Sequence, residues 1–341
     1  MSRRVSQNRG RDRDIWSSSP RRRASRSGRR RGRGGKIALF LVLLVICGAA
    51  LVPWAMRPES LRPQKNWLQA TLYGMFQEDS FQGDAMLLAD LSDGSVFASK
   101  GEEDSQLPAS LAKLFVVEYA LTLADPATVV TVSPESLALV KEGSSMAWIQ
   151  ARNYPLKDLF AAMLVPSGND AAYAVADYCG GLVSPESAPG QERVNAFLNA
   201  LAGHLAEKGY TGTALYDPSG FDLQARTTAE DLYKVTSALL EYPWFREIVG
   251  QRAYTAVLSD GFTQTWENTN AFLNPDSPYY DPNVQGVKTG SLEDSYNLVV
   301  LYHQHGKDFL VCALGSDSDE GRYEDVAALL RTIDESSYLA W

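Results

Sequence analysis

Residues 37–56 read IALFLVLLVICGAALVPWAM, twenty residues without a charge. A run of that length reaches across a hydrocarbon core of about 30 Å, and it divides the chain into parts that cannot share one core. We expect a transmembrane anchor here. The positive-inside rule then puts residues 1–36 in the cytoplasm and everything after residue 57 outside. A cleavable signal peptide is the rival reading, but the basic region is unusually long and no A-x-A pattern closes the apolar run. Cys47 follows Leu-Val-Ile, not the small residue a lipoprotein site needs.

Thirteen Arg and Lys36 against Asp12 and Asp14 give residues 1–36 a net charge of +12, so the remainder carries −21 of the overall −9. The Arg/Ser/Gly-rich 1–36 segment has too few aliphatic residues to offset its ordering entropy and is expected to be a disordered basic tail. Residues 57–80, rich in proline and charge at the start, read as a stalk, leaving 81–341 as one folded domain. Its acidity argues against nucleic acid as a partner, because phosphate binding needs clustered Lys and Arg. The tail and Lys36 suit anionic lipid instead.

Beyond the apolar run only Cys179 and Cys312 remain, each in an apolar stretch, which favours two buried thiols over a bridge. The histidines are His204, His303 and His305. His-Gln-His at 303–305 precedes Gly306 between two apolar runs and reads as a turn, and His204 as a surface or satisfied core residue. No metal or cofactor is expected.

Strand-like patterns lie at 85–91 and 96–99, and the turn chemistry of Ser-Asp-Gly-Ser between them makes the pair a hairpin. Helical periodicity follows at 110–124, 156–165, 169–179, 191–208 and 228–241. Strand patterns return at 252–258, 263–268, 284–289, 296–303 and 308–314, and a helical run closes the chain near 321–337. For one domain this order implies an antiparallel sheet built from both ends of the chain, with helices on its faces.

Three short motifs carry chemistry. In PASLAKLF (108–115), Ser110 and Lys113 stand three apart, so on a helix both project from one face. A serine hydroxyl needs a neighbour to take its proton, and a buried lysine amine can be neutral enough to do so. Alone the pair also reads as an N-cap serine with a surface lysine. Ser167-Gly168-Asn169 lies between two helical runs, and Lys288-Thr289-Gly290-Ser291 ends a strand, about 55 and 120 residues further on in turn.

S-x-x-K, S-x-N and K-T-G in that order resemble the serine penicillin-recognising enzymes. The blocks EGSSMAW (142–148), LFAAMLVPSGNDAAYAVADYCGG (159–181), FLNALAGHLAEKGYTGTALYDPSGFD (197–222), TTAEDLY (227–233), NTNAFL (268–273) and GVKTGS (286–291) are similar to the low-molecular-mass penicillin-binding proteins that are serine-type D-alanyl-D-alanine carboxypeptidases. The resemblance runs from about 80 to 338. It implies an α/β fold of the α+β kind, β-lactamase/transpeptidase-like, with an antiparallel sheet, flanking helices and an all-helical subdomain.

It also implies an enzyme that removes the terminal D-Ala of peptidoglycan stem peptides through an acyl-enzyme, with β-lactams as covalent inhibitors. Ser110 would be the nucleophile, Lys113 its base, Ser167 the relay to the leaving group and Asn169 the residue orienting Lys113 and the substrate amide. Lys288 and Thr289 would bind the substrate carboxylate, with Lys288 also supporting Ser167 and keeping Lys113 neutral. Backbone N–H groups of Ser110 and Ser291 would form the oxyanion hole, and Gly290 would leave the strand edge clear for substrate. Asp-Pro-Ser-Gly at 217–220 reads as a turn without a catalytic part. A β-lactamase is disfavoured because S-D-N is replaced by S-G-N and no E-x-x-x-N loop follows; a D,D-endopeptidase is a variant of the same chemistry.

Overall fold

The computed structural model describes residues 81–335, so the expected tail 1–36, span 37–56 and stalk 57–80 lie outside the described residues. No described helix is long and apolar enough to cross a membrane. The elements run β1 (Ala85–Asp90), β2 (Val96–Lys100), α1 (Ala112–Leu123), β3 (Val129–Thr131), α2 (Pro134–Leu137), β4 (Asn153–Pro155), α3 (Leu156–Leu164), α4 (Asn169–Val183), α5 (Gln191–Lys208), α6 (Ala229–Leu240) and α7 (Pro243–Val249). They continue with β5 (Ala253–Val257), β6 (Thr263–Glu267), β7 (Val284–Leu292), β8 (Ser295–Gln304), β9 (Lys307–Ser316) and α8 (Asp319–Glu335).

Strands β2-β1-β9-β8-β7 form one antiparallel sheet, joining both ends of the domain as the element order implies. Alternate side chains of β1 serve two cores, as a period of 2 requires. Ala85, Leu87 and Ala89 pack towards the helical side with Leu114 and Leu232, whereas Met86 and Leu88 pack with Tyr323, Val326 and Leu330 of α8. Burying a side chain such as Phe115 or Phe309 contributes about 2–3 kcal/mol.

Helix α1 carries apolar residues on every face, with Lys113 and Glu118 its only charges, which suits a helix enclosed on every side. Its residues 112–120 are buried without a break, so it is the central post of the helical half. Thr228 caps α6 by accepting from Asp231 N, and Gly209, at φ 76, ends α5 in the left-handed conformation that glycine adopts without strain. Three features depart from the sequence reading. Strands β5 and β6 pair only with each other, outside the main sheet, and the small elements β3, β4, α2 and α7 were not anticipated. His303 lies on β8, with only His305 and Gly306 in the turn, and its Nδ1 sits 2.7 Å from Asp308. Two expectations hold: Cys179 and Cys312 are buried free thiols, and His204 is a satisfied core residue, partnered with Glu118, which also receives Lys208 at 3.3 Å.

Candidate active site

Ser110 does not begin the α-helix. It sits in a tight 3-10 turn, Ala109–Leu111, that runs straight into α1. The turn still brings hydroxyl and amine together: Lys113 Nζ lies 2.8 Å from Ser110 Oγ. Asn169 Oδ1 accepts from the same nitrogen at 2.8 Å, and the Ser219 carbonyl at 3.0 Å. Lys113 is fully buried, while Ser110 is partly open to solvent.

These three partners fix what the amine can do. The oxygens of Asn169 and Ser219 are carbonyls and can only accept. A neutral amine has two protons and one lone pair, so with both protons held by the carbonyls its lone pair faces the Ser110 hydroxyl. Burial lowers the amine to about 7 from its ordinary 10.5, against the pull of Asp217 and Asp170. The site therefore holds a base that is half neutral near physiological pH, set against a hydroxyl.

Asp-Pro-Ser-Gly at 217–220 is thus part of the site, correcting its reading as a bystander turn. Asp217 accepts from Ser219 N at 2.7 Å, holding the carbonyl that meets Lys113. Gly220, at φ 79, lies so near the Ser110 turn that a Cβ there would stand 1.8 Å from the Ala109 carbonyl oxygen. No sequence signature announces a backbone carbonyl as a partner.

Strand β7 is an edge strand, and Gly290 is where it meets the Ser110 turn. A Cβ at 290 would stand 2.9 Å from the Pro108 carbonyl oxygen and 3.2 Å from Leu111 Cγ. This contact between strand and turn by itself requires a glycine at 290. Asn297 on β8 ties the same turn down, donating to the carbonyls of Leu107 at 2.8 Å and Pro108 at 3.2 Å.

Lys288 is 1 % exposed and donates to the Thr289 carbonyl at 2.8 Å, not to Ser167. Burial first, then repulsion from Lys113 and Arg322, hold it well below an ordinary lysine. Lys113 owes its own low value first to burial, and the repulsion between the two amines is mutual, so Lys288 also disfavours charge on Lys113. Thr289 Oγ1 lies 2.6 Å from Thr269 Oγ1, a residue the motifs did not single out although NTNAFL contains it. Ser291 is exposed, and its hydroxyl accepts from Arg322 Nη1 at 2.8 Å.

Ser167 precedes α4 at φ 66, and its segment is tied on both sides. Gly168 N donates to the Ala162 carbonyl, Asn169 N to that of Ser145, and Thr269 N to that of Val165. Its hydroxyl has no hydrogen-bond partner among the described residues. A Cβ at Gly168 would stand 2.5 Å from Ala147 Cβ and 2.7 Å from the Ala162 carbonyl oxygen, so the middle of S-G-N has no room for a side chain. Of the five described non-glycine residues at positive φ, Ala109, Trp148 and Ser167 border this site. Such residues cost about 1–3 kcal/mol each and persist only where their surroundings over-determine them.

Residues 74–318 match the family described as D-alanyl-D-alanine carboxypeptidase. Among curated proteins, the D-alanyl-D-alanine carboxypeptidase DacD of Escherichia coli is 28% identical over 267 residues, covering 75% of this chain and 64% of its own length. A D-alanyl-D-alanine carboxypeptidase of Streptomyces is 31% identical over 182 residues, covering 51% of this chain and 59% of its own. The chain thus spans less than two thirds of the length of these relatives. A mutant of a Streptomyces DD-transpeptidase superposes with a TM-score of 0.63 at 25% identity, over 74% of this chain and 97% of the other. A Mycobacterium tuberculosis D-alanyl-D-alanine carboxypeptidase shares the fold, with a TM-score of 0.62 at 22% identity, over 75% of this chain and 92% of the other.

Proposed function

The chain belongs to the D-alanyl-D-alanine carboxypeptidase family, and from that premise we propose that it removes the terminal D-Ala of peptidoglycan stem pentapeptides through an acyl-enzyme on Ser110. The observation that carries this reading is the buried Lys113 amine, 2.8 Å from Ser110 Oγ, with both its remaining protons directed to carbonyls. Ser110 Oγ attacks the carbonyl carbon of the penultimate D-Ala as its proton passes to Lys113. The resulting oxyanion is met by the backbone N–H groups of Ser110 and Ser291, fixed donors placed where the negative charge develops. The proton returns through the Ser167 hydroxyl to the leaving D-Ala nitrogen as the C–N bond breaks. Water then attacks the ester, giving up its proton to Lys113, and Ser110 recovers its own as the shortened peptide leaves.

The substrate carboxylate falls to Thr289, supported by Thr269. Lys288 acts through Thr289, whose carbonyl it holds, because it is too deeply buried to meet the carboxylate itself. A stem peptide with an amidated C-terminus is therefore expected to release alaninamide at least a hundredfold less efficiently than the free acid releases D-Ala. Thr289→Val should lower kcat/KM on the free acid about tenfold or more. Amino-acid analysis of the released product decides both, and equal turnover of acid and amide would defeat the carboxylate assignment.

In the same reading residues 37–56 anchor the protein, with 1–36 in the cytoplasm and the catalytic domain outside, where its substrate is. Protease added to intact protoplasts is expected to release the domain and spare the tail. A soluble domain beginning near residue 57 in untreated cells would mean a cleaved signal instead.

A further inference from the structure

Trp148 is 73 % exposed, more than any other large apolar residue described. Its φ of 56 lies in the left-handed region, which a bulky residue adopts only when its neighbours force it. Here they do. The buried Asp170 carboxylate accepts from Ala147 N at 2.9 Å through one oxygen and from Ile149 N at 3.0 Å through the other. The buried Trp266 indole donates to the Ala147 carbonyl at 2.8 Å, and Gln264 Nε2 donates to the same carbonyl at 2.7 Å and to that of Trp148 at 3.2 Å.

The clamp belongs to the active-site wall. Asp170 directly follows Asn169, Ser145 O accepts from Asn169 N, and Ala147 covers Gly168. A buried carboxylate and a buried indole thus hold a second indole out in solvent, one residue along from the Ala147 that packs on Gly168. No described ring or cation stacks on it. The folded state alone gains nothing from a tryptophan here, where glycine would satisfy the backbone without strain.

We propose that Trp148 is a specificity-determining platform for the acyl-donor side of the substrate, receiving the methylene-rich side chain of the residue that precedes D-Ala-D-Ala. The inference rests on the carboxypeptidase reading above. In that reading Thr289 takes the carboxylate end and Ser167 serves the scissile nitrogen, which leaves the wall beyond them, formed by Asn169 and the Ser145–Ala147 backbone packed on it, for the donor. An indole face gains from packed CH2 groups and from an ammonium over the ring, so a lysine-like side chain suits it best.

The test compares Nα-acetyl-L-Lys-D-Ala-D-Ala with N-acetyl-L-Ala-D-Ala-D-Ala in the native enzyme, Trp148→Ala and Trp148→Phe. The native enzyme is expected to prefer the lysyl peptide. Trp148→Ala should reduce the lysyl-to-alanyl ratio of kcat/KM about tenfold, chiefly through KM, and Trp148→Phe should keep most of the preference. An unchanged ratio in Trp148→Ala, whether both peptides lose turnover equally or neither does, overturns the platform and leaves the carboxypeptidase reading intact. A native enzyme that releases D-Ala from neither peptide overturns both.

Discussion

Benzylpenicillin is expected to form one covalent adduct per chain, on Ser110, with an acylation rate constant that rises with pH and levels off above a midpoint near 7. In the proposed mechanism the β-lactam ring would open on the same hydroxyl, so acylation would need the same neutral Lys113 amine, which burial brings to about 7. Below the midpoint the amine is protonated and its lone pair is lost. A positioned general base contributes roughly 10²–10⁴ in rate, and Lys113→Ala should forfeit that factor. Lys113→Arg should do no better, since a guanidinium does not give up its proton in this range. Ser110→Ala should show no adduct at all.

Time-resolved intact mass between pH 5 and 9 reads the native protein and all three variants, and a flat native profile would remove Lys113 from the role of base. The ring-opened leaving group stays attached, and no glutamate-held water is expected here, so the adduct should persist. Rapid hydrolysis of many equivalents would move the reading to a β-lactamase. The same group links pH to stability. Because its folded value lies below its unfolded 10.5, its contribution is most favourable above about 10.5 and is lost as pH falls through about 7.

Gly220→Ala should cost at least a hundredfold in acylation and roughly 3 kcal/mol or more in stability. The positive φ alone is worth about 1–2 kcal/mol for a residue with a Cβ. The new carbon would also fall 1.8 Å from the Ala109 carbonyl oxygen and 2.9 Å from Ala112 Cβ, so the turn must withdraw from Ser110. It would take the Ser219 carbonyl with it, and a misplacement of about 1 Å in such a site costs about 10² in rate. Gly209→Ala isolates the backbone part: its φ is 76, but nothing lies within 4 Å of the added carbon. It should lose only about 1 kcal/mol and acylate normally. Denaturant melts and penicillin labelling of the two variants would refute the close-approach argument if they behaved alike.

The main elements of this domain were legible because their apolar runs are long and bounded by turn signals. The apolar run 85–89 closed by Ser-Asp-Gly-Ser and the longer one after Ser110 named strand and helix correctly, and the strand blocks at the two ends already implied one antiparallel sheet. Short elements such as Pro134–Leu137 and Pro243–Val249 span too few residues for a period to register. The hairpin β5–β6 has a strand pattern like those of the sheet, yet pairs apart from it, and pairing partners are not written in a local pattern.

By itself the sequence determined the chemical inventory: a serine and a lysine three apart, S-G-N, K-T-G, and the order that unites them. These were readable because the reacting groups are side chains of defined chemistry at local spacing. Tertiary structure alone decided how that inventory is tuned and held. It placed Lys113 where burial lowers its amine and supplied the Ser219 carbonyl that helps aim the lone pair. It also gave Gly290 and Gly220 their purpose, close backbone approach to the Ser110 turn, and set Trp148 at the rim through Asp170 and Trp266. The physical reason is the same in each case: desolvation, backbone carbonyls and steric contact depend on residues far apart in the chain, and they exist only once the core has brought those residues together.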